Sequence, residues 1–188
     1  MSHTLIVFAR EPIAGRTKTR LCPPFDGATA ALLYGCFLRD TLALARHTRP
    51  DHRTIAYTPE SDSTFFERLA PDFDRRAQRG AGLGERMDNA FGDIFDRQSP
   101  AAQPPHSAVL IGSDIPHMPA GFLRRAFAHL DDGADVVLGP AEDGGYYLIG
   151  LRTRQARLLC DVPMSTPTVL SDTLALVRAL GLRAKLLP

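Results

Sequence analysis

A chain of 188 residues with 44% hydrophobic and 23% charged residues has the length and composition of one globular domain. Such a domain buries roughly 70% of its unfolded surface without disulfide or metal staples. Twenty-two Lys and Arg against 21 Asp and Glu leave a net charge of +1, which excludes the broadly basic surface of a nucleic-acid or polybasic membrane binder.

Cys22, Cys36 and Cys160 are odd in number and far apart. They have neither zinc-ligand spacing nor the look of a disulfide framework, as in a reduced cytosolic protein. The opening "MSHTLIVFAR" has five consecutive apolar residues and no basic stretch before them. That is too short for a signal peptide or a membrane span, and a cytoplasmic location is expected.

Along the chain, "TLIVF" (4–8) reads as a buried strand, being continuous, β-branched and aromatic. Asp26 is placed to cap the following helix, whose apolar face takes Ala31, Leu32, Gly35, Leu38, Leu42 and Ala45 and ends near His47. "TIAYT" (54–58) is a second strand, 62–69 a short helix and "FDRRAQ" (73–78) a more polar strand. "GAGLGERMDNAFGDIF" begins in glycines and becomes helical, with Met87, Ala90, Phe91 and Ile94 on one side.

The polar segment 97–107 holds three prolines and is expected as a surface loop. "SAVLIG" (107–112) is the next buried strand, followed by a helix over 120–130 and a strand at "ADVVLG" (134–139). "YYLIGL" (146–151) comes after a turn too short for a crossover helix, so it is expected antiparallel to a neighbour. A helix over 167–180 and a strand at "AKLL" (184–187) complete the pattern. The expectation is a single three-layer α/β/α domain over 1–188 with a mostly parallel, mixed sheet and no internal repeat.

Ligands of such sheets sit beyond the carboxyl ends of the strands, and the unusual chemistry of this sequence follows strand after strand. In "AREPIAGRTKTR", Gly15 permits close backbone approach, Lys18 supplies a point charge and Arg20 a fork for phosphate oxygens. Arg16 adds a third cation. The run is no P-loop, since it lacks four residues and then Gly-Lys-Ser/Thr after its glycine. Repulsion among these cations, offset only in part by Glu11, predicts a loop that closes over phosphates and is less ordered without them.

"GAGLGE" has its glycines at 80, 82 and 84, which departs from the dinucleotide fingerprint. Gly82 and Gly84 are candidates to hold a nucleotide's base or ribose, or simply to start a helix, and Arg86 is a further candidate contact. In "GSDIP", Pro116 stiffens the turn behind Asp114. A carboxylate at a strand tip facing a cationic loop suits Mg²⁺ or Mn²⁺ bridging phosphate oxygens, with an N-cap or turn role as the plainer alternative. His117 is read as a loop residue. In "AEDGGYY", Gly144 and Gly145 permit positive φ, and Asp143 is the candidate second acidic residue at the metal or acceptor, with Glu142 as the alternative.

"FAREPIAGRTKTRL", "LGERM…AF", "LIGSDIP", "LGPAEDGGYYLIGL" and "STPTVLSDTL" occur in this order. In that ordered set the chain resembles, over nearly its whole length, a bacterial family of glycosyltransferase-A-like proteins. The family is usually labelled radical-SAM/selenodomain-associated transferase and is distantly similar to phospholactate guanylyltransferase and other nucleotidyltransferases. The resemblance implies a nucleotide-diphospho-sugar transferase fold, with Lys18 and Arg20 in the phosphate loop and Asp114 as metal carboxylate. Asp143, Gly144 and Gly145, with Ser165 and Thr166, fall on the acceptor side.

Two departures stand out. Met164 replaces a tryptophan usual before the Ser-Thr pair, and the chain ends at Pro188 where many members continue into an acidic Asp-x-Asp stretch. The expected function is a metal-dependent transferase using a nucleotide-activated donor, foremost a nucleotide sugar, and an unidentified small-molecule acceptor. The alternatives are a nucleotidyltransferase that releases pyrophosphate and a nucleotide-binding module without turnover. Neither nucleic acid nor membrane is expected as a partner, and a homodimer is left open.

Overall fold

The computed structural model describes residues 2–96 and 106–188. The chain runs β1 (Ser2–Ala9), α1 (Gly27–Thr48), β2 (His52–Tyr57), α2 (Ser63–Leu69), β3 (Asp74–Ala77), α3 (Leu83–Phe95), β4 (His106–Gly112) and α4 (Ala120–Asp131). Then come β5 (Val136–Pro140), β6 (Tyr146–Leu151), α5 (Ala156–Cys160), α6 (Val169–Ala179) and β7 (Ala184–Leu186). The strands form one seven-stranded sheet in the order β3-β2-β1-β4-β6-β5-β7. Among the described strands only β6 runs against its neighbours, pairing antiparallel with both β4 and β5, as the short turn before it requires.

Strand alternation builds a core on each side of the sheet. Leu5 and Val7 of β1 and Val109 and Ile111 of β4 face one cluster, closed by Leu38 and Leu42 of α1, Phe66 of α2 and Leu123 and Phe127 of α4. Ile6, Ala108 and Leu110 face the other, closed by Met87 and Phe91 of α3, Leu158 and Leu159 of α5 and Val177 of α6. The layers are therefore helix, sheet, helix.

α1 starts where expected, with Asp26 Oδ1 accepting from the Thr29 N–H at 2.7 Å. Its buried face differs from the expected one: Leu32 is 68% exposed, and Ala30 and Tyr34 are buried instead. Leu32 lies in helical phase with Ala28, Cys36, Arg39 and Ala43, all exposed, and so falls on the outer face of the helix. α1 also has the length and hydropathy of a membrane span, but Leu38, Leu42 and Ala45 are buried in the core. α5 has five residues and no periodic signal, and it was not expected. Most of the proline-rich segment 97–107 lies outside the described residues; its last two begin β4.

α3 starts at the sheet's carboxyl edge, and that placement ties it to the ligand-binding end of the fold. Gly82 is its N-cap residue, and Glu85 reaches back to accept the Ala81 N–H at 2.8 Å. Its axis is held by Arg154, which donates to both carboxylate oxygens of the buried Asp88 at 3.0 and 2.6 Å. Gly84 is buried against α5, where a Cβ would collide with the Leu159 carbonyl oxygen.

This contact makes opposite forces testable at one atom. Alanine is the better helix former by about 1 kcal/mol, whereas overpacking costs about 1–3 kcal/mol. Gly84→Ala is expected to lower the melting temperature, by about 2–4 °C for each kcal/mol of net cost in a domain this size. Calorimetry or circular dichroism checks it; a rise would show that α3 and α5 do not touch there.

Candidate functional site

The carboxyl ends of β1, β2, β4 and β5, together with the amino end of β6, open into one cleft of about 1440 Å³. Typical pockets for a single small ligand span about 300–1,000 Å³, so this cleft has room for two reactants. Its walls are the β1–α1 loop, the start of α3, the β4 tip, the β5–β6 hairpin and the segment before α6.

Five cationic side chains line it, Arg10, Arg16, Lys18, Arg20 and Arg86, against three carboxylates, Asp114, Glu142 and Asp143. Among the described residues none of the four arginines takes part in an ion pair, while Lys18 Nζ contacts Asp114 Oδ2. A protein with a net charge of only +1 thus gathers surplus positive charge at the mouth of its sheet. Low-dielectric walls strengthen the attraction of such a site for anions.

The β1–α1 loop is a built turn. Thr17 is buried; its hydroxyl donates to the Glu11 carbonyl at 2.9 Å and accepts from the Ile13 N–H at 3.1 Å. Among the described residues Glu11, expected to offset part of the loop's positive charge, forms no ion pair with these cations. Asp114 meets Lys18, and the Glu11 carboxylate instead accepts the Asp62 N–H at 2.9 Å.

Lys18 has φ 54 and ψ 38. The described non-glycine residues with positive φ are Lys18, Arg49 and Ser165. Arg49 is the C-cap of α1, where that conformation is routine. Lys18 and Ser165 both line the cleft, which is where such backbone strain concentrates in functional sites.

Arg16, Lys18, Arg20, Gly82, Arg86, Asp114, Glu142, Asp143, Gly145, Ser165 and Thr166 all reach this one cleft. Three glycines proposed for it do not line it. Gly84 packs its backbone against α5 instead. Gly15 bends the chain at φ +75, and its backbone packs against Gly27, the first residue of α1. Gly144, at φ +85, lies where a Cβ would strike the Pro167 carbonyl; its own carbonyl accepts the Leu170 N–H at 2.9 Å. These three shape the walls by close backbone approach.

Asp143 also shapes its own turn, with Oδ1 accepting the Gly145 N–H at 3.0 Å. The Thr166 hydroxyl donates to the Pro163 carbonyl at 3.1 Å.

Arg10 and Ser113 lie within "AREPIAGRTKTR" and "GSDIP" without a signal of their own, and Tyr34 stands in no motif. Tyr34 is buried, and its ring lies 6.0 Å from Lys18 Nζ. Burial pushes the Tyr34 phenol above its usual range and that of Tyr146 up to about 12, so both are neutral donors at physiological pH. Helical spacing places Tyr34 within α1 but says nothing of its partners.

Among the described residues no group of three or more His, Cys, Asp or Glu converges on a point. The residues therefore do not form a self-contained metal cage. They fit a hard cation that takes one or two carboxylates and completes its shell from a ligand's phosphates, because Asp114 is exposed to the cleft among cations suited to those phosphates.

Residues 41–166 match the family model described as an uncharacterized protein conserved in bacteria, DUF2064. No curated protein gave a significant match. Among solved structures, one from Desulfovibrio desulfuricans G20, described as a putative nucleotide-diphospho-sugar transferase, is 33% identical. It matches over 100% of this chain and 80% of its own, with a TM-score of 0.88.

Two remoter likenesses show the fold alone. CMP:2-keto-3-deoxy-manno-octonic acid synthetase complexed with CTP is 10% identical over 100% of this chain and 89% of its own, TM-score 0.59. Rv0371c of Mycobacterium tuberculosis H37Rv in complex with manganese is 20% identical over 100% and 87%, TM-score 0.54. The fold is that of nucleotide-diphospho-sugar transferase-like proteins, and the chain belongs to the DUF2064 family.

Proposed function

We propose that this protein is a metal-dependent transferase that binds a nucleotide-activated donor, foremost a nucleotide sugar, and passes a group to a small-molecule acceptor. The observation that carries the reading is the convergence of the Lys18–Asp114 pair and four further cations on the carboxyl ends of parallel strands. The transferase class is supported by the D. desulfuricans relative, which is described as a putative nucleotide-diphospho-sugar transferase.

Lys18 and Arg20 neutralise the donor's diphosphate, one as a point charge and the other as a fork. Asp114 is the residue that would hold Mg²⁺ or Mn²⁺, which when bound supplies charge stabilisation to the departing phosphate oxygens. A divalent metal is in keeping with the description of one fold relative as a complex with manganese. Lys18 contacts Asp114 at Oδ2, so a cation held by this carboxylate would take Oδ1 or displace the ammonium towards the donor's phosphates.

Across the cleft, Asp143 accepts the proton of the acceptor hydroxyl. The hydroxyl oxygen bonds to the transferred group, whose bond to the diphosphate oxygen breaks, and the nucleoside diphosphate leaves. Ser165 and Thr166 belong to the acceptor wall. The CTP complex of a fold relative motivates a second reading. In it the acceptor's oxygen attacks the α-phosphate of a nucleoside triphosphate, and pyrophosphate leaves. Pyrophosphate release with no sugar nucleotide consumed selects this second reading.

The reading predicts that Lys18→Ala weakens a nucleoside diphosphate in titration calorimetry by about tenfold or more, and the corresponding nucleoside hardly at all. Added salt weakens the parent's binding too. Arg20→Lys loses part of the affinity, because an ammonium cannot reproduce the bidentate fork. If Lys18→Ala binds the diphosphate as tightly as the parent, the loop is a solvated basic turn and the reading fails.

The ion pair itself is expected to contribute little to stability. With side chains 31% and 46% exposed, it belongs with surface pairs worth about 0–1 kcal/mol. Lys18→Ala should therefore move the melting temperature by no more than about 2–4 °C. A larger loss would make the pair structural.

A further inference from the structure

We propose that Ser113 is a hydrogen-bond donor to the phosphates of the bound ligand and that Tyr34 is the positioning residue that aims it. The proposal rests on the phosphate-binding reading of the cleft and deepens it. Ser113 stands between the end of β4 and Asp114, on the cleft floor, and is 5% exposed. Its Oγ lies 2.6 Å from Tyr34 Oη, and the Arg10 N–H donates to the same phenol oxygen at 3.1 Å.

The order of donation follows from this arrangement. The phenol oxygen already accepts from Arg10, and a phenol is a stronger acid and weaker acceptor than an aliphatic hydroxyl. Tyr34 therefore donates its proton to Ser113, which accepts with its lone pair and keeps its own hydrogen. Burial holds the phenol in its protonated form, and donation along a chain of hydroxyls polarises each successive one. Among the described residues, the Ser113 hydroxyl meets no protein acceptor for that hydrogen, and it borders a cleft crowded with cations. An anionic oxygen is the partner that this donor, beside Lys18, suits best.

Tyr34 also explains why the floor keeps its shape. It ties the first residue after β1 to the first after β4 from a third element, α1. Its ring lies under the Lys18 ammonium at 6.0 Å, near the limit of a cation–π contact.

The test is titration calorimetry with inorganic pyrophosphate in the presence of Mn²⁺, which probes the phosphate site without base or sugar. Ser113→Ala is expected to weaken binding about tenfold, as for one hydrogen bond to a charged group, and Tyr34→Phe about threefold. Ser113→Thr keeps the hydroxyl and stays within about threefold of the parent. The double variant binds no worse than Ser113→Ala, because Tyr34 acts through Ser113.

Ser113→Ala binding as tightly as the parent, while Lys18→Ala loses affinity, overturns the inference and leaves the cleft reading standing. Losses from Ser113 and Tyr34 that add in full overturn the positioning role of Tyr34. A Thr variant as weak as the Ala variant overturns the hydroxyl's role. A parent that does not bind pyrophosphate, or a Lys18→Ala variant that binds it equally, defeats both readings. If Tyr34→Phe fails to fold, the Ala and Thr variants of Ser113 decide the donor claim.

Discussion

Parallel pairing of β1 with β4, with Phe8 beside Gly112, is the constraint on which the site depends. Two parallel neighbours must deliver their following loops to the same edge of the sheet. The cationic loop after β1 and the carboxylate after β4 are thereby brought together from 96 residues apart. Lys18 then meets Asp114, and Tyr34 of α1, the crossover helix from β1 to β2, meets Ser113 and the Arg10 backbone. An antiparallel pair would have put these loops at opposite ends. The single reversed strand, β6, extends the same logic: a tight hairpin from β5 returns at the cleft and sets Glu142 and Asp143 on its wall.

The two faces of the sheet divide the work. Apolar side chains of β1 and β4, Leu5, Ile6, Val7, Val109 and Ile111 among them, are buried on both sides of the sheet, and the charged groups stand beyond its carboxyl edge. Close backbone contacts replace side chains where walls meet: Gly84 against α5, Gly144 against the segment before α6, Gly15 against the start of α1. These contacts set the width of the cleft without touching what it holds. Arg154, clasping the buried Asp88, fixes α3 and with it the placement of Arg86.

Much of this was legible in the residues. Continuous β-branched runs marked the buried strands, the short Asp-Gly-Gly connection implied the antiparallel strand, and Asp26 announced the start of α1. Charge and glycine after successive strands pointed to one pocket. What could not be read were partnerships that depend on three-dimensional crossing. Leu32 reads as part of the apolar face of α1 yet is exposed, because it is in phase with the outer residues Ala28, Cys36, Arg39 and Ala43. Gly84 looked like a ligand glycine because a backbone approach to protein and one to a ligand demand the same residue. Glu11 stood out as counter-charge because it was near in number, but Asp114 was nearer in space. Ser113 stands in "GSDIP" beside the more conspicuous Asp114 and Tyr34 stands in no motif, and their meeting is not legible in the sequence.

The central claim is an anion-attracting cleft that takes nucleotides through their phosphates. The most direct measurement is a thermal-shift comparison of the parent protein with a panel of nucleoside diphosphates, triphosphates and nucleotide sugars, each with and without Mn²⁺. A ligand at about 100 times its Kd adds about 2.7 kcal/mol, or about 5–10 °C in a domain of this size. A shift of that order is predicted for at least one phosphorylated nucleotide, larger with Mn²⁺, and none for the matching nucleoside. Equal shifts with nucleoside and nucleotide, or no shift across the panel, would contradict it.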